Sequence, residues 1–331
     1  MESVEEKAMR IVQLAVAWVA GAVGMVSVTP GWSQDYPTRE IRTICPFAPG
    51  TGADIVVRYY AAKLAEVAGK PVITENRPGA QGLLGTEAVA RAKPDGYTIS
   101  INPVASTMAA AVHIFKMLSF DPLKDFEFGG TLLSTSFVLV VTPKDSIRTV
   151  ADLTKYLKEK KGNAFYGGST NTGIVASELY KNAIGVDAKR VNYRSAFDAL
   201  NEMANGNIDF YFTDATTALG QIAAGRYRPL AVTGPKRSKS LPDVPTMTEA
   251  GIPMDFAPWW GTIMPAGTPK PIVEKLTVWM DKVSALPETI AFLTRNGLDP
   301  LPGDATQLRA MLIRDTQRWG DWVKLAQIEA Q

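Results

Sequence analysis

One cysteine and one histidine stand in 331 residues. A lone thiol excludes an internal disulfide. A lone imidazole excludes a multi-histidine zinc site and an HExxH metalloprotease. Cys45 falls in Ile41-Arg-Thr-Ile-Cys-Pro46, which reads as a buried strand, and nothing beside it would activate a thiolate. His113 falls in the helix-like Ala111-Val-His-Ile-Phe-Lys116 and precedes nearly every serine that a hydrolytic triad would use. GxxxxGK[ST] is missing, and Ile55 stands where a GxGxxG dinucleotide turn needs its third glycine. The GxSxG hydrolase elbow is missing as well, because Asn171 replaces its second glycine. Lys and Arg number 35 against 33 Asp and Glu, for a net charge of +2, and form no basic run. That excludes a nucleic-acid-binding surface and leaves room for a small anionic ligand. Solenoid repeats and low-complexity tracts are absent too.

Long hydrophobic runs are scarce, with one exception. Residues 11–28 are almost purely apolar and small, behind a short head carrying Lys7 and Arg10, and Thr29-Pro-Gly-Trp-Ser-Gln34 breaks the run. This is the layout of a secretory signal peptide. Cleavage after Ser33 fits the small-residue rule, with Gly31 in support. A permanent membrane anchor and a buried helix are the competing readings; 18 residues just span a bilayer. Gly21, Gly24 and Thr29-Pro30 weaken the anchor, and no basic stop-transfer cluster follows. Glu2, Glu5 and Glu6 are atypical of a signal head and point to translation starting at Met9. The sole cysteine lies too far on for a lipoprotein. The expected location is therefore the periplasm.

Strand and helix patterns alternate after the signal. Strands are expected at residues 41–47, 71–75, 97–101, 138–141, 164–166, 191–193, 208–212 and 229–232. Helices are expected at residues 54–68, 80–93, 106–116, 149–160, 173–184, 196–205 and 216–224, several stopped by glycine. Such repeated units predict an α/β fold with mainly parallel sheets flanked by helices. So many strands suit two lobes, with crossings near residues 129–136 and 233–235. The expected division is a signal peptide at 1–33, one lobe of 36–135 plus 233–331, and a second of 136–232. Helices at 270–286, 287–296 and 304–328 are expected to clad a lobe.

Two strand-to-helix turns carry the chemistry. The first holds Phe47, Ala48, Pro49, Gly50, Thr51 and Gly52, followed by Asp54 as a helix N-cap. Glycines let backbone N–H groups approach a ligand, and a helix N-terminus favours an anion. The second, Gly167-Gly-Ser-Thr-Asn-Thr-Gly173, gathers Gly168, Ser169, Thr170, Asn171 and Thr172 at another helix start. Its hydroxyls suit carboxylate oxygens, each such bond contributing roughly 1.5–3 kcal/mol. A tight structural turn and an ordinary helix cap are the plainer readings of these two segments. A third, Glu75-Asn-Arg-Pro-Gly-Ala-Gln-Gly82, reads as lobe-shaping, with Arg77 in a surface ion pair. Two anion-binding helix starts on opposite lobes suit a ligand with two polar ends. No base, nucleophile and orienting acid occur together, so binding without turnover is expected.

At these residues the chain closely resembles the periplasmic solute-binding proteins of the tripartite tricarboxylate transporter family, also called Bug proteins. The matches are Tyr36-Pro37, Pro46-Phe-Ala-Pro-Gly50, Asp54, Glu75-Asn-Arg-Pro-Gly-Ala80, Pro94-Asp-Gly-Tyr-Thr98, Leu241-Pro-Asp-Val-Pro-Thr246, Glu249-Ala-Gly251 and Pro265-Ala-Gly-Thr-Pro269. The resemblance implies a two-lobed periplasmic-binding-protein fold that closes on a small carboxylate. It implies delivery to a two-component membrane permease, with no metal or cofactor, by a monomer. It puts residues 47–52 on one jaw and 168–172 on the other, and Ser106, Tyr193, Phe197 and Asp214 join the expected ligand-facing set. The sequence departs from the family pattern at Gly50-Thr51, at Gly173-Ile-Val-Ala-Ser-Glu178 and at Asn192-Tyr-Arg-Ser195. Both an aliphatic dicarboxylate or hydroxy-acid and an aromatic acid stacked on Phe47, Tyr193 and Phe197 therefore stay open. A periplasmic sensor serving a membrane kinase is the alternative role. An exported enzyme using Asp54 and Asp214 as acids is the remoter one.

Overall fold

The computed structural model describes residues 36–144 and 146–330. The expected signal peptide and its cleavage point near Ser33 lie outside the described residues. All elements below belong to one unit, Pro37–Gln331.

Strand β1 (Ile41–Cys45) feeds helix α1 (Gly52–Ala68), which buries Val57, Tyr60, Ala61 and Leu64 at helical spacing. Gly69 ends that helix in the left-handed region, its N–H donating to Ala65 O. Strand β2 (Val72–Asn76), a short 3₁₀ turn, helix α2 (Leu83–Ala90) and strand β3 (Thr98–Asn102) follow. Residues 105–110 form a π-helical turn that runs into α3 (Ala111–Ile114). The long strand β4 (Phe126–Thr135) then leads, through Ser136 alone, into β5 (Phe137–Val141).

The second half of the crossing repeats the scheme. Helix α4 (Val150–Glu159), β6 (Ala164–Gly168), α5 (Asn171–Ile184), β7 (Ala188–Asn192), α6 (Ala196–Ala204), β8 (Phe210–Asp214), α7 (Ala215–Ala223) and β9 (Arg228–Val232) build the second sheet. The chain returns through β10 (Trp259–Pro265), and α8 (Lys270–Ala285), α9 (Pro287–Arg295), β11 (Leu298–Gly303) and α10 (Ala305–Leu325) complete the first.

The result is a two-lobed α/β fold. One sheet has the order β11-β4-β10-β3-β1-β2 and the other β7-β6-β8-β5-β9. The expectation of mainly parallel sheets holds for the β2-β1-β3 and β7-β6-β8 segments only. The remaining neighbours pair antiparallel, so both sheets are mixed. The cause is the crossing itself. A strand that leaves one sheet for the other must be matched by one that comes back. The expected crossing around 129–136 is a strand up to Thr135, with Ser136 alone between the two sheets. Strands β10 and β11 had no clear sequence signal, because Gly261 interrupts one and Pro300 and Pro302 interrupt the other.

Past β9 the chain stays beside the second sheet for some distance. Val232 bridges Thr246, and Leu241 and Val244 join that sheet's core. Helix α10 buries Leu308, Leu312, Trp319 and Val323 on one stripe. Its Asp315 accepts from Trp259 Nε1 at 2.6 Å, and Asn182 Nδ2 of α5 donates to Ala326 O at 2.9 Å. Phe256, Trp319 and Trp322 pack as a ring cluster with centroids 4.9–5.3 Å apart.

Thr233 pins the two crossings together. Its Oγ1 accepts from Phe137 N at 3.0 Å and donates to Phe256 O at 3.0 Å, while its own N–H donates to Phe137 O at 2.9 Å. Thr233→Val keeps the shape and orphans two buried backbone groups. Urea unfolding should register a loss of about 2–4 kcal/mol; a loss too small to measure would mean that the crossing does not depend on this hydroxyl.

Candidate functional site

In each sheet the strand order reverses around a strand next to the edge, β1 between β2 and β3 in one and β6 between β7 and β8 in the other. In open α/β sheets such a switch point opens a crevice at the strands' carboxyl ends. The two glycine-rich turns expected from the sequence occupy those crevices.

The first turn is braced from behind. Asp54 is the third residue of α1, and Thr51 takes the N-cap position with extended backbone and no side-chain cap. The expected N-cap thus lies three residues earlier, at Thr51, and Asp54 acts from inside the helix: its Oδ2 accepts from Gly50 N at 2.9 Å and from Arg58 Nε at 2.9 Å. Its Oδ1 accepts from Asn76 Nδ2 at 2.7 Å, and the same amide donates to Phe47 O at 3.0 Å. Burial by itself would raise the Asp54 carboxyl, but the bonds from Arg58, Gly50 and Asn76 prevail and hold it below its ordinary value of 3.8. Arg77 pairs with Glu75 at 2.6 Å, as a surface ion pair. Behind the turn, burial pushes the Cys45 thiol up to about 12, so it is inert.

The second turn ends β6 at Gly168, whose carbonyl accepts from Tyr193 N at 2.7 Å. Thr170 caps α5 by accepting from Gly173 N at 3.1 Å. Ser169 Oγ shares a short hydrogen bond with Tyr211 Oη, which fixes its rotamer. Burial pushes the Tyr211 phenol far up, so it stays neutral.

The jaws meet at two buried hydrogen bonds. Gly52 N donates to Thr217 Oγ1 at 2.8 Å, and Asn171 Nδ2 donates to Ser106 O at 2.9 Å. Position 52 has no room for a side chain: a Cβ there would lie 2.0 Å from Asp214 Oδ1 and 2.9 Å from Thr216 Cβ, both on the facing lobe.

A cavity of about 50 Å³ lies between the jaws. Eight of the expected residues line it: Phe47, Ala48, Thr51 and Ser106 from one lobe, and Ser169, Thr170, Thr172 and Asp214 from the other. The other eight do not. Pro49 and Gly50 shape the first turn and Asp54 braces it; Gly52 and Asn171 join the jaws; Gly168 ends its strand. Tyr193 and Phe197 pack against the core of the second sheet, and Phe197 also faces the first turn, its Cε2 3.8 Å from where a Cβ on Gly50 would lie. The amides of Gly50 and Gly52, expected to meet an anion, are already engaged by Asp54 and Thr217.

Several lining residues escaped the sequence reading. Phe137, Pro258 and Trp260 form the wall at the crossing, with Thr135 beside them. Ala53 and Pro103 add to one jaw, Ser195 and Ala196 to the other. Ser195 had a readable signal, since Ser195-Ala-Phe-Asp198 is a capping box and the structure forms it. Trp260 and Pro258 had none, because β10 itself was not recognised.

The lining carries one ionisable group, Asp214, and among the residues that line the cavity there is no Lys or Arg. Ser106 Oγ and Thr172 Oγ1 are buried and have no hydrogen-bond partner. A buried orphan hydroxyl costs about 1–3 kcal/mol, so its place is beside something that it can bond. The arrangement can hold an oxygen-bearing anion and offers no means of activating a nucleophile.

Comparison with known proteins agrees with this geometry. The model of the tripartite tricarboxylate transporter family receptor matches residues 56–328. The solved periplasmic binding protein BugD superposes with TM-score 0.84 at 28% identity, covering 89% of this chain and 100% of that one. A protein of R. palustris solved with adipate gives TM-score 0.85 at 30% identity, covering 90% and 100%. MatC from Rhodopseudomonas palustris, solved with bound malate, gives 0.81 at 27% identity, covering 87% and 100%. The chain belongs to the tripartite tricarboxylate transporter receptor family and has the periplasmic-binding-protein fold. Its relatives are solute-binding proteins and not enzymes.

Two measurements check the site. Gly52→Ala should hold the jaws apart, raising the radius of gyration in solution scattering and lowering affinity for any interlobe ligand about tenfold or more; an unchanged profile would contradict the close approach. Asp54→Asn should cost about 1–3 kcal/mol near neutral pH. The native carboxyl titrates below its unfolded value, so its contribution is complete above about pH 4 and fades as pH falls through the lower folded value. The gap between the two proteins in urea should close on acidification; a gap constant with pH would assign the effect to packing.

Proposed function

We propose that this family member is an extracytoplasmic receptor that captures a small dicarboxylate between its lobes and hands it to a two-component membrane permease. The observation that carries the reading is the pair of buried hydroxyls, Ser106 Oγ and Thr172 Oγ1, on the cavity wall with no partner in the protein. A ligand carboxylate accepts from both. The N-termini of α1 and α5 add positive potential where a lysine or arginine would otherwise be needed. The two lobes, built on the two sheets, close as a pincer about the crossings at Ser136 and Thr233, and the stretch around 241–246, expected in the first lobe, moves with the second.

An aliphatic cargo is favoured over an aromatic one. Tyr193 and Phe197, the rings on which an aromatic acid was expected to stack, are not on the cavity wall. Phe47, Phe137 and Trp260 give the remaining wall an apolar character suited to a methylene chain. The structural neighbours solved with malate and adipate bracket the chain length that this wall would accept. The periplasm is the compartment in which such a receptor works.

A thermal-shift screen of C4–C10 dicarboxylates, hydroxy-acids and aromatic diacids tests the reading. A ligand at about 100-fold its dissociation constant adds roughly 2.7 kcal/mol. The expected result is a selective rise with a short aliphatic diacid; a rise with aromatic diacids alone would reverse the choice of cargo, and none from any carboxylate would remove the receptor reading. Ser106→Ala combined with Thr172→Val should weaken the best ligand by roughly 2–4 kcal/mol in calorimetry. Unaltered affinity would mean that the carboxylate sits elsewhere.

A further inference from the structure

Asp214 is the one ionisable side chain on the cavity wall. It caps α7, its Oδ1 accepting from Thr217 N at 2.9 Å. It shares the cavity wall with Ser106 and Thr172, whose hydroxyls have no partner. The charged groups around it leave its carboxylate without a cation. On α1, Arg58 is paired with Asp54 and points to Asn76. On α6, Asp198 is turned to Ser195. On β8, Tyr211 is neutral and bonded to Ser169. Arg228 of β9 is held at the far end of its strand by the carbonyls of Lys144 and Ile147. Arg295, in the last turn of α9, is exposed and is not part of the wall.

A dicarboxylate entering this space would bring two negative charges beside a third. Two carboxylates that share a desolvated site do not both stay ionised; one takes a proton and the pair shares it. We infer that Asp214 takes up one proton from solvent as a dicarboxylate binds, then donates its O–H to a ligand carboxylate oxygen. The inference rests on the dicarboxylate reading above and adds the protonation state in which that cargo is held. Burial already raises the Asp214 carboxyl in the unliganded protein, against the opposing bonds from Thr217. The same burial favours the protonated form, which turns a repulsive contact into a donor.

Calorimetry of adipate binding, repeated in buffers of different ionisation enthalpy, counts the protons taken up. The expected count approaches one near neutral pH, with affinity falling up to about tenfold per pH unit as pH rises. Asp214→Asn keeps a capping oxygen and supplies an N–H donor in place of the acid proton. It should bind adipate more tightly than the native protein at about pH 8 and lose both the proton uptake and the pH slope. Adipate bound with no proton uptake, or with uptake unchanged in Asp214→Asn, overturns the inference while leaving the receptor intact. If adipate does not bind, the best diacid of the screen takes its place in the same titration, and failure of every diacid overturns both. Should Asp214→Asn not fold, the proton count on the native protein decides alone.

Discussion

How near the start of α1 can come to the start of α7 governs the closed arrangement. Two helix N-termini carry like partial charges and should repel when brought head to head. Gly52 lets them meet, because it has no Cβ to collide with Asp214. Thr217 Oγ1 then accepts the Gly52 N–H, and the Asp214 carboxylate lies against the junction with its own cap bond to Thr217 N. The same contact bears on the cavity: it holds the jaws together beside it and engages the Gly52 amide, while Ser106 and Thr172 keep unpartnered hydroxyls on its wall.

Recognition without a cation follows from this geometry. Helix termini and hydroxyls polarise the cleft, and low local dielectric strengthens each bond made inside it. Such a wall does not dictate one ligand as a bidentate arginine would. On the proposed reading it favours carboxylates as a class and leaves chain length to the apolar wall of Phe47, Phe137 and Trp260. Receptors that share a fold can then differ in cargo by changes in a few wall residues.

Much of this was legible in the sequence. The glycine-rich turns, the helix stops and the βα alternation sit where period and turn chemistry put them, and half of the expected site residues line the cavity. Local patterns failed where distant chain segments decide the outcome. Asp54 looks like an N-cap in isolation, yet Asn76 and Arg58 recruit it as a brace from inside the helix. Gly50 and Gly52 look like anion donors, yet a side chain of their own turn and one from the other lobe take their N–H groups. Trp260 was invisible because β10 owes its existence to pairing with β3 and β4, far away in the chain. The antiparallel neighbours of both sheets had the same cause, a chain that must cross between lobes and return.

The most direct test of the account is a crystal structure of the protein from Gln34 onward grown with adipate. The account predicts the ligand between the jaws, with a carboxylate oxygen within hydrogen-bond reach of Ser106 Oγ and Thr172 Oγ1, and the Gly52–Thr217 contact intact. Adipate held outside the cleft, or inside it with both hydroxyls still without a partner, would contradict the claim that these two groups define the site.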